Sequence, residues 1–137
     1  MTAGIAAATI VAKPYISHAR VLARSFAEHH PEIPFFALLA DEVGGLFDPA
    51  AEPYELVALD DLGLADGAGY RFRYEQQPLS YAMTPHLVGH LLDRGFDRVI
   101  FVKQESLVLD RLDPVLAALE TASVVLTPHL LAPSTAA

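Results

Sequence analysis

Cysteine is absent from this 137-residue chain, which excludes a disulfide framework, a thiolate zinc site and a cysteine nucleophile. The absence is compatible with a reducing compartment, so a cytoplasmic location is the expectation. Basic residues are scarce. Nine Lys and Arg stand against seventeen Asp and Glu, a formal net charge of -8. Nucleic-acid binding through phosphates needs a clustered basic footprint, and the densest one here is the short Arg71-Phe72-Arg73-Tyr74. Nucleic acid is therefore set aside as a partner. A glycine-rich phosphate loop is missing too: Gly44-Gly45 and Gly67-Ala68-Gly69 match neither a P-loop nor a dinucleotide fingerprint. Residues 5–12 are apolar, yet no Lys or Arg precedes them, and Lys13-Pro14-Tyr15 follows where small residues should mark a leader's cleavage site. That run is also too short to span a bilayer. No internal repeat or low-complexity tract is present.

What remains is a chain rich in core-forming residues. Hydrophobic side chains make up 53% of it and charged ones 19%, which rules out a disordered polar tail. The length suits one domain over residues 1–137, because halving it would leave neither piece a sufficient core. The apolar excess points to self-association or a partner subunit.

Residues 6–12 form a short apolar run ending in β-branched residues, the pattern of a strand covered on both faces. From Ile16 the period changes. Ile16, Ala19, Val21, Leu22, Ala23 and Phe26 are expected on one side of a helical wheel, and Pro31 and Pro34 close the helix. Residues 35–40 are a second buried strand, and strand, helix, strand within about forty residues is a βαβ unit. Residues 55–59 predict a brief edge strand. A second helix opens at Pro78 or Ser80, contains Pro85, and ends at Arg94-Gly95 as C-terminal glycine caps do. Residues 98–102 are a third buried strand and 107–109 a small one beside it. Asp113-Pro114 starts a third helix, with Asp as N-cap and Pro at the first helical position. Residues 123–127 complete the pattern as a last strand, and 130–137 read as a flexible tail.

This order predicts an α/β fold: a mostly parallel sheet flanked by helices on both faces. Ligands of such sheets bind at the carboxyl ends of the strands. That rule selects residues 12–15, Asp41, residues 103–106 and residues 127–129.

With those loops aligned, the chain resembles the nucleotide-sugar glycosyltransferases of the GT-A fold, particularly their GT8-like branch. The residues that carry the resemblance are Thr9-Ile-Val-Ala-Lys-Pro-Tyr15, the helix from Ala19 to Phe26 with Glu28-His-His-Pro31, and Phe36-Ala-Leu-Leu-Ala-Asp41. Leu79-Ser-Tyr-Ala-Met-Thr-Pro85, Arg98-Val-Ile-Phe-Val102, Leu112-Asp-Pro114 and Val125-Leu-Thr-Pro-His-Leu130 complete the set. The resemblance implies a nucleotide diphosphate sugar as ligand, UDP-sugars first among them, and hexosyl transfer as the activity where there is one. It places Ala12 and Tyr15 at the base and Asp41 near the base or ribose. It also implies that the chain stops after the nucleotide-binding half.

Where that family has Asp-Xaa-Asp to hold a divalent cation, this chain reads Lys103-Gln104-Glu105. Two hard oxygen ligands normally hold the ion that offsets phosphate charge. Lys103 repels such an ion but meets a diphosphate as a point charge. Glu105 is left as the one candidate ligand for Mn2+ or Mg2+, weakly held. Lys103 and Glu105 are thus the candidate catalytic residues, and the replacement favours binding over transfer, with a non-catalytic scaffolding or oligomeric subunit as the alternative. The family's Lys before the helical Pro is Thr84 here.

The remaining motifs say less. His29 and His30 are adjacent and diverge on a helix, His86 and His90 lack an accompanying Glu or third His, and His129 reads as a strand-end residue. Ser17 and Ser106 have no nucleophile elbow around them. A receiver-type regulatory domain would need clustered acids at strand ends, and Asp41-Glu42 is the one such cluster.

Overall fold

The computed structural model describes residues 4–65, 69, 75–128 and 131–132, without the side chains of 76–78. Its four strands are β1 (Ile5–Val11), β2 (Phe35–Leu39), β3 (Glu55–Ala58) and β4 (Arg98–Phe101), ordered β3-β2-β1-β4 and all parallel. The helices are α1 (Ile16–His29), α2 (Gln76–Asp93) and the short α3 (Asp113–Ala118).

β1 lies between β2 and β4, and all seven of its residues are buried. Alternation along the strand divides them. Ile5, Ala7 and Val11 pack with Leu22, Ala23 and Phe26 of α1, and α3 adds Leu116 to that layer. Ala6, Ala8 and Ile10 pack with Met83, Leu87 and Leu91 of α2 on the opposite face. Helices therefore cover both faces of the sheet. Gly95, at φ +99°, ends α2, and its N–H donates to the Leu92 carbonyl at 3.0 Å. Only glycine adopts that backbone conformation without strain. α2 runs unbroken through Pro85.

Three sequence expectations are corrected. Residues 123–127 form no strand: Val124 and Leu126 are exposed and pair with nothing in the sheet. Strand propensity is realised only against a hydrogen-bonded neighbour, and the chain leaving α3 does not reach one here. Residues 107–109 are likewise outside the sheet. Val108 is buried against α1, where its N–H donates to the Ser25 hydroxyl at 3.1 Å. Asp113 is the first helical residue rather than the N-cap, because its carboxylate accepts from Arg111 Nε at 2.9 Å. Arg71-Phe72-Arg73-Tyr74, His129 and most of 130–137 lie outside the described residues.

Polar contacts fasten the long connections. His30 is fully buried; its Nε2 accepts from the Leu112 N–H at 2.8 Å, which places the ring proton on Nδ1 facing Glu32 at 3.4 Å. Arg111 bridges the His29 carbonyl, Glu32 and Asp113. On the other flank Arg20 of α1 donates twice to Glu52, at 2.6 and 2.8 Å, tying α1 to the chain leading into β3. The Glu52 side chain is 4% exposed.

The Arg20 hydrogen bonds, reinforced by its charge, hold the Glu52 carboxyl below the usual glutamate value of 4.5. The folded protein therefore takes up this proton less readily than the unfolded chain does. The stabilisation is complete above the unfolded value and disappears as pH falls through the depressed folded one. Glu52→Gln is expected to lower stability at pH 7 and to flatten its dependence on pH below about 5, as read by urea unfolding across pH.

Candidate functional site

The connectivity creates a crevice. From β1 the chain moves through α1 to β2 and β3 on one side, then returns through α2 to place β4 on the other side of β1. Strand order reverses between β1 and β4: α1 leaves β1 on one face of the sheet, and α2 brings the chain to β4 across the other. At such a switch point a cleft opens beyond the carboxyl ends of the strands. Here it has a volume of about 390 Å³.

Ile10 of β1 and Phe101 of β4 line its apolar part. Tyr15, at the last position of a 3-10 turn, and His18, in the first turn of α1, line another side, their rings edge to face at 5.5 Å. Ser80, Tyr81 and Thr84 come from the first half of α2, and Lys103, Gln104 and Glu105 from the loop after β4. No side chain caps the N-terminus of α1, where the Ile16 N–H donates to the Lys13 carbonyl, and Tyr15 and His18 bring this positive end of the helix dipole to the rim.

The loop carrying Lys103 is held at both ends. Val102 N–H donates to the Ala8 carbonyl at 2.9 Å and extends the β1–β4 pairing; Ser106 N–H donates to the Lys103 carbonyl at 3.0 Å and closes a tight turn. Beyond it the Ser25–Val108 bond fixes the chain to α1. The Lys103 ammonium lies 3.4 Å from the Tyr81 hydroxyl, 5.4 Å from the centre of that ring and 3.7 Å from Glu105 Oε1. The Tyr81 hydrogen bond, and after it the Glu105 charge, raise the Lys103 ammonium above the ordinary lysine range. Both Lys103 and Glu105 are more than half exposed, and a solvated pair of this kind is weak. A ligand anion exchanges for Glu105 at small cost.

Of the residues selected from sequence, Tyr15, Lys103 and Glu105 meet in this cleft. Ala12 and Asp41 do not line it. Ala12 is buried, and its carbonyl accepts from the Tyr15 N–H at 2.9 Å, shaping the turn that presents Tyr15. Asp41 Oδ2 accepts from the Lys13 N–H at 2.7 Å and borders a separate shallow depression with Lys13, Pro14 and Glu42. Its role in the structure is to brace the loop after β1. Sequence reasoning missed His18 and Tyr81. His18 is legible as the residue one helical turn from Tyr15, whereas Tyr81 reaches Lys103 only through the packing of α2 beside β4.

Two observations bear on a divalent ion. The carboxylate available to one, Glu105, has an ammonium beside it, and among the described residues no three His, Asp or Glu side chains group as ligands. One carboxylate beside an ammonium is a poor protein donor set for Mn2+ or Mg2+, whose other ligands would have to be waters and ligand oxygens. Among the described residues no helix is long and apolar enough to cross a membrane. Set against known families, characterised proteins and solved structures, the chain matches none.

Removing the brace isolates the role of Asp41. Asp41→Ala is expected to speed hydrogen exchange at the Lys13 amide by about tenfold, the loss of one charge-assisted bond, with little change at the Val102 amide.

Proposed function

We propose that the cleft binds a nucleotide diphosphate sugar, as the resemblance to GT-A glycosyltransferases implies. The observation that supports this best is the composition of the switch-point cleft: an aromatic pair on one side and, among its lining residues, a single Lys or Arg on another. Tyr15 offers a ring face to the base. Lys103 and the N-terminus of α1 offer positive charge to the diphosphate. The position where that family often places a Lys is Thr84 here, whose hydroxyl donates to the Ser80 carbonyl at 2.9 Å, so the charge rests on Lys103.

Transfer, where it follows binding, breaks the bond between the anomeric carbon and the diphosphate oxygen. The acceptor oxygen forms the new bond and releases its proton, while the Lys103 ammonium stabilises the departing diphosphate. The described residues place no carboxylate other than Glu105 in the cleft to take that proton.

Isothermal titration with UDP, UDP-glucose and uridine checks it. The expected result is saturable binding of all three, weakest for uridine, with Tyr15→Ala weakening each by about tenfold or more through lost stacking. Absence of heat with every nucleotide removes the reading.

A second reading, a subunit that binds or scaffolds by self-association, is favoured by a different observation. Leu107, Leu109, Val124 and Leu126 are exposed, and β4 pairs only with β1 among the described residues. An open strand edge beside apolar side chains promotes association between chains. Light scattering at rising concentration is expected to show a dimer or larger species under this reading; a constant monomer mass defeats it.

A further inference from the structure

Resting on that reading of the cleft, we infer that Lys103, positioned by Tyr81, takes the charge of the bound diphosphate directly, so that binding here requires no divalent cation. Three observations converge. The first is the position of the ammonium, on a loop pinned by the Val102–Ala8 and Ser106–Lys103 hydrogen bonds, at the mouth of the cleft. The second is its orientation. A lysine side chain has several rotatable bonds, and an exposed one ordinarily samples many of them. Tyr81 restrains this one through its hydroxyl, 3.4 Å from the ammonium, with the ring centre 5.4 Å away.

The third is the chemistry of the neighbouring acid. A dication at Glu105 would sit beside the ammonium that now lies 3.7 Å from the carboxylate, and like charges at that range repel. An anionic ligand meets the opposite situation: it displaces Glu105 from a weak, solvated pair and gains the ammonium. Tyr81 is then a positioning residue, acting on the ligand through Lys103, and its hydroxyl and ring are separable by substitution.

The test is titration of the full chain with UDP and with uridine, each in excess EDTA and in millimolar Mn2+. Uridine lacks the diphosphate and reports whether a variant keeps its fold and base site. The wild-type affinity for UDP is expected to be equal in the two buffers. Lys103→Gln is expected to weaken UDP by about tenfold or more and to leave uridine unchanged, the signature of one lost charge-assisted contact. Tyr81→Phe, which keeps the ring, is expected to weaken UDP by a few-fold, again with uridine unchanged. Lys103→Asp pairs an acid with Glu105 and is expected to bind UDP in Mn2+ but not in EDTA. UDP binding by the wild type in Mn2+ alone overturns this inference and leaves the nucleotide reading standing. Failure of UDP and uridine in both buffers overturns both. Equal loss of UDP and uridine in Lys103→Gln also overturns it, since the lysine would then serve the fold rather than the diphosphate.

Discussion

The structure depends on one strand being buried from every direction. β1 is hydrogen-bonded to β2 on one edge and β4 on the other, and its faces are covered by α1 and α2. Four of its neighbours must approach a single seven-residue segment, and the small side chains of Ala6, Ala7 and Ala8, none of them measurably exposed, make that approach possible. A larger residue at any of the three would separate a helix from the sheet. The same central position sets the end of β1 where strand order reverses, and the cleft opens there beside β4. Packing and site are thus consequences of one constraint.

Much of this was legible in the sequence because parallel sheets impose strong patterns. Continuous apolar runs marked β1, β2 and β4, the change of period at Ile16 marked α1, and Arg94-Gly95 marked the end of α2. Residues 123–127 misled because they carry the composition of a strand without the partner that makes one. No local feature distinguishes the two cases. Asp113 misled in a subtler way. Its residue type and the following proline fit an N-cap, but Arg111 two residues earlier captures the carboxylate.

The site was legible in part, and the boundary is physical. Loops at strand ends can be aligned from the order of elements, which brought Tyr15, Lys103 and Glu105 forward. Sequence does not reveal whether a strand-end carboxylate turns outward to a ligand or back to the chain, and Asp41 turns back, to the Lys13 N–H. Nor does it reveal contacts that cross the sheet's edge. Tyr81 and Lys103 lie 22 positions apart and meet because α2 and the loop after β4 share one rim.

The charge of the molecule sharpens what the cleft must do. A formal net charge of -8 repels an anionic ligand at long range, so attraction has to be local. At physiological ionic strength, charges beyond about 8 Å are largely screened, which weakens the repulsion from distant acids more than the pull of a contacting ammonium. Lys103, which lines the cleft, and the start of α1, whose Tyr15 and His18 line it too, supply positive potential locally. Glu105, the nearest opposing charge, is also the most easily displaced, being solvated and 3.7 Å from its partner. An acidic protein holds an anion here by concentrating positive potential at one rim rather than by its overall field, and that rim is the one the burial of β1 creates.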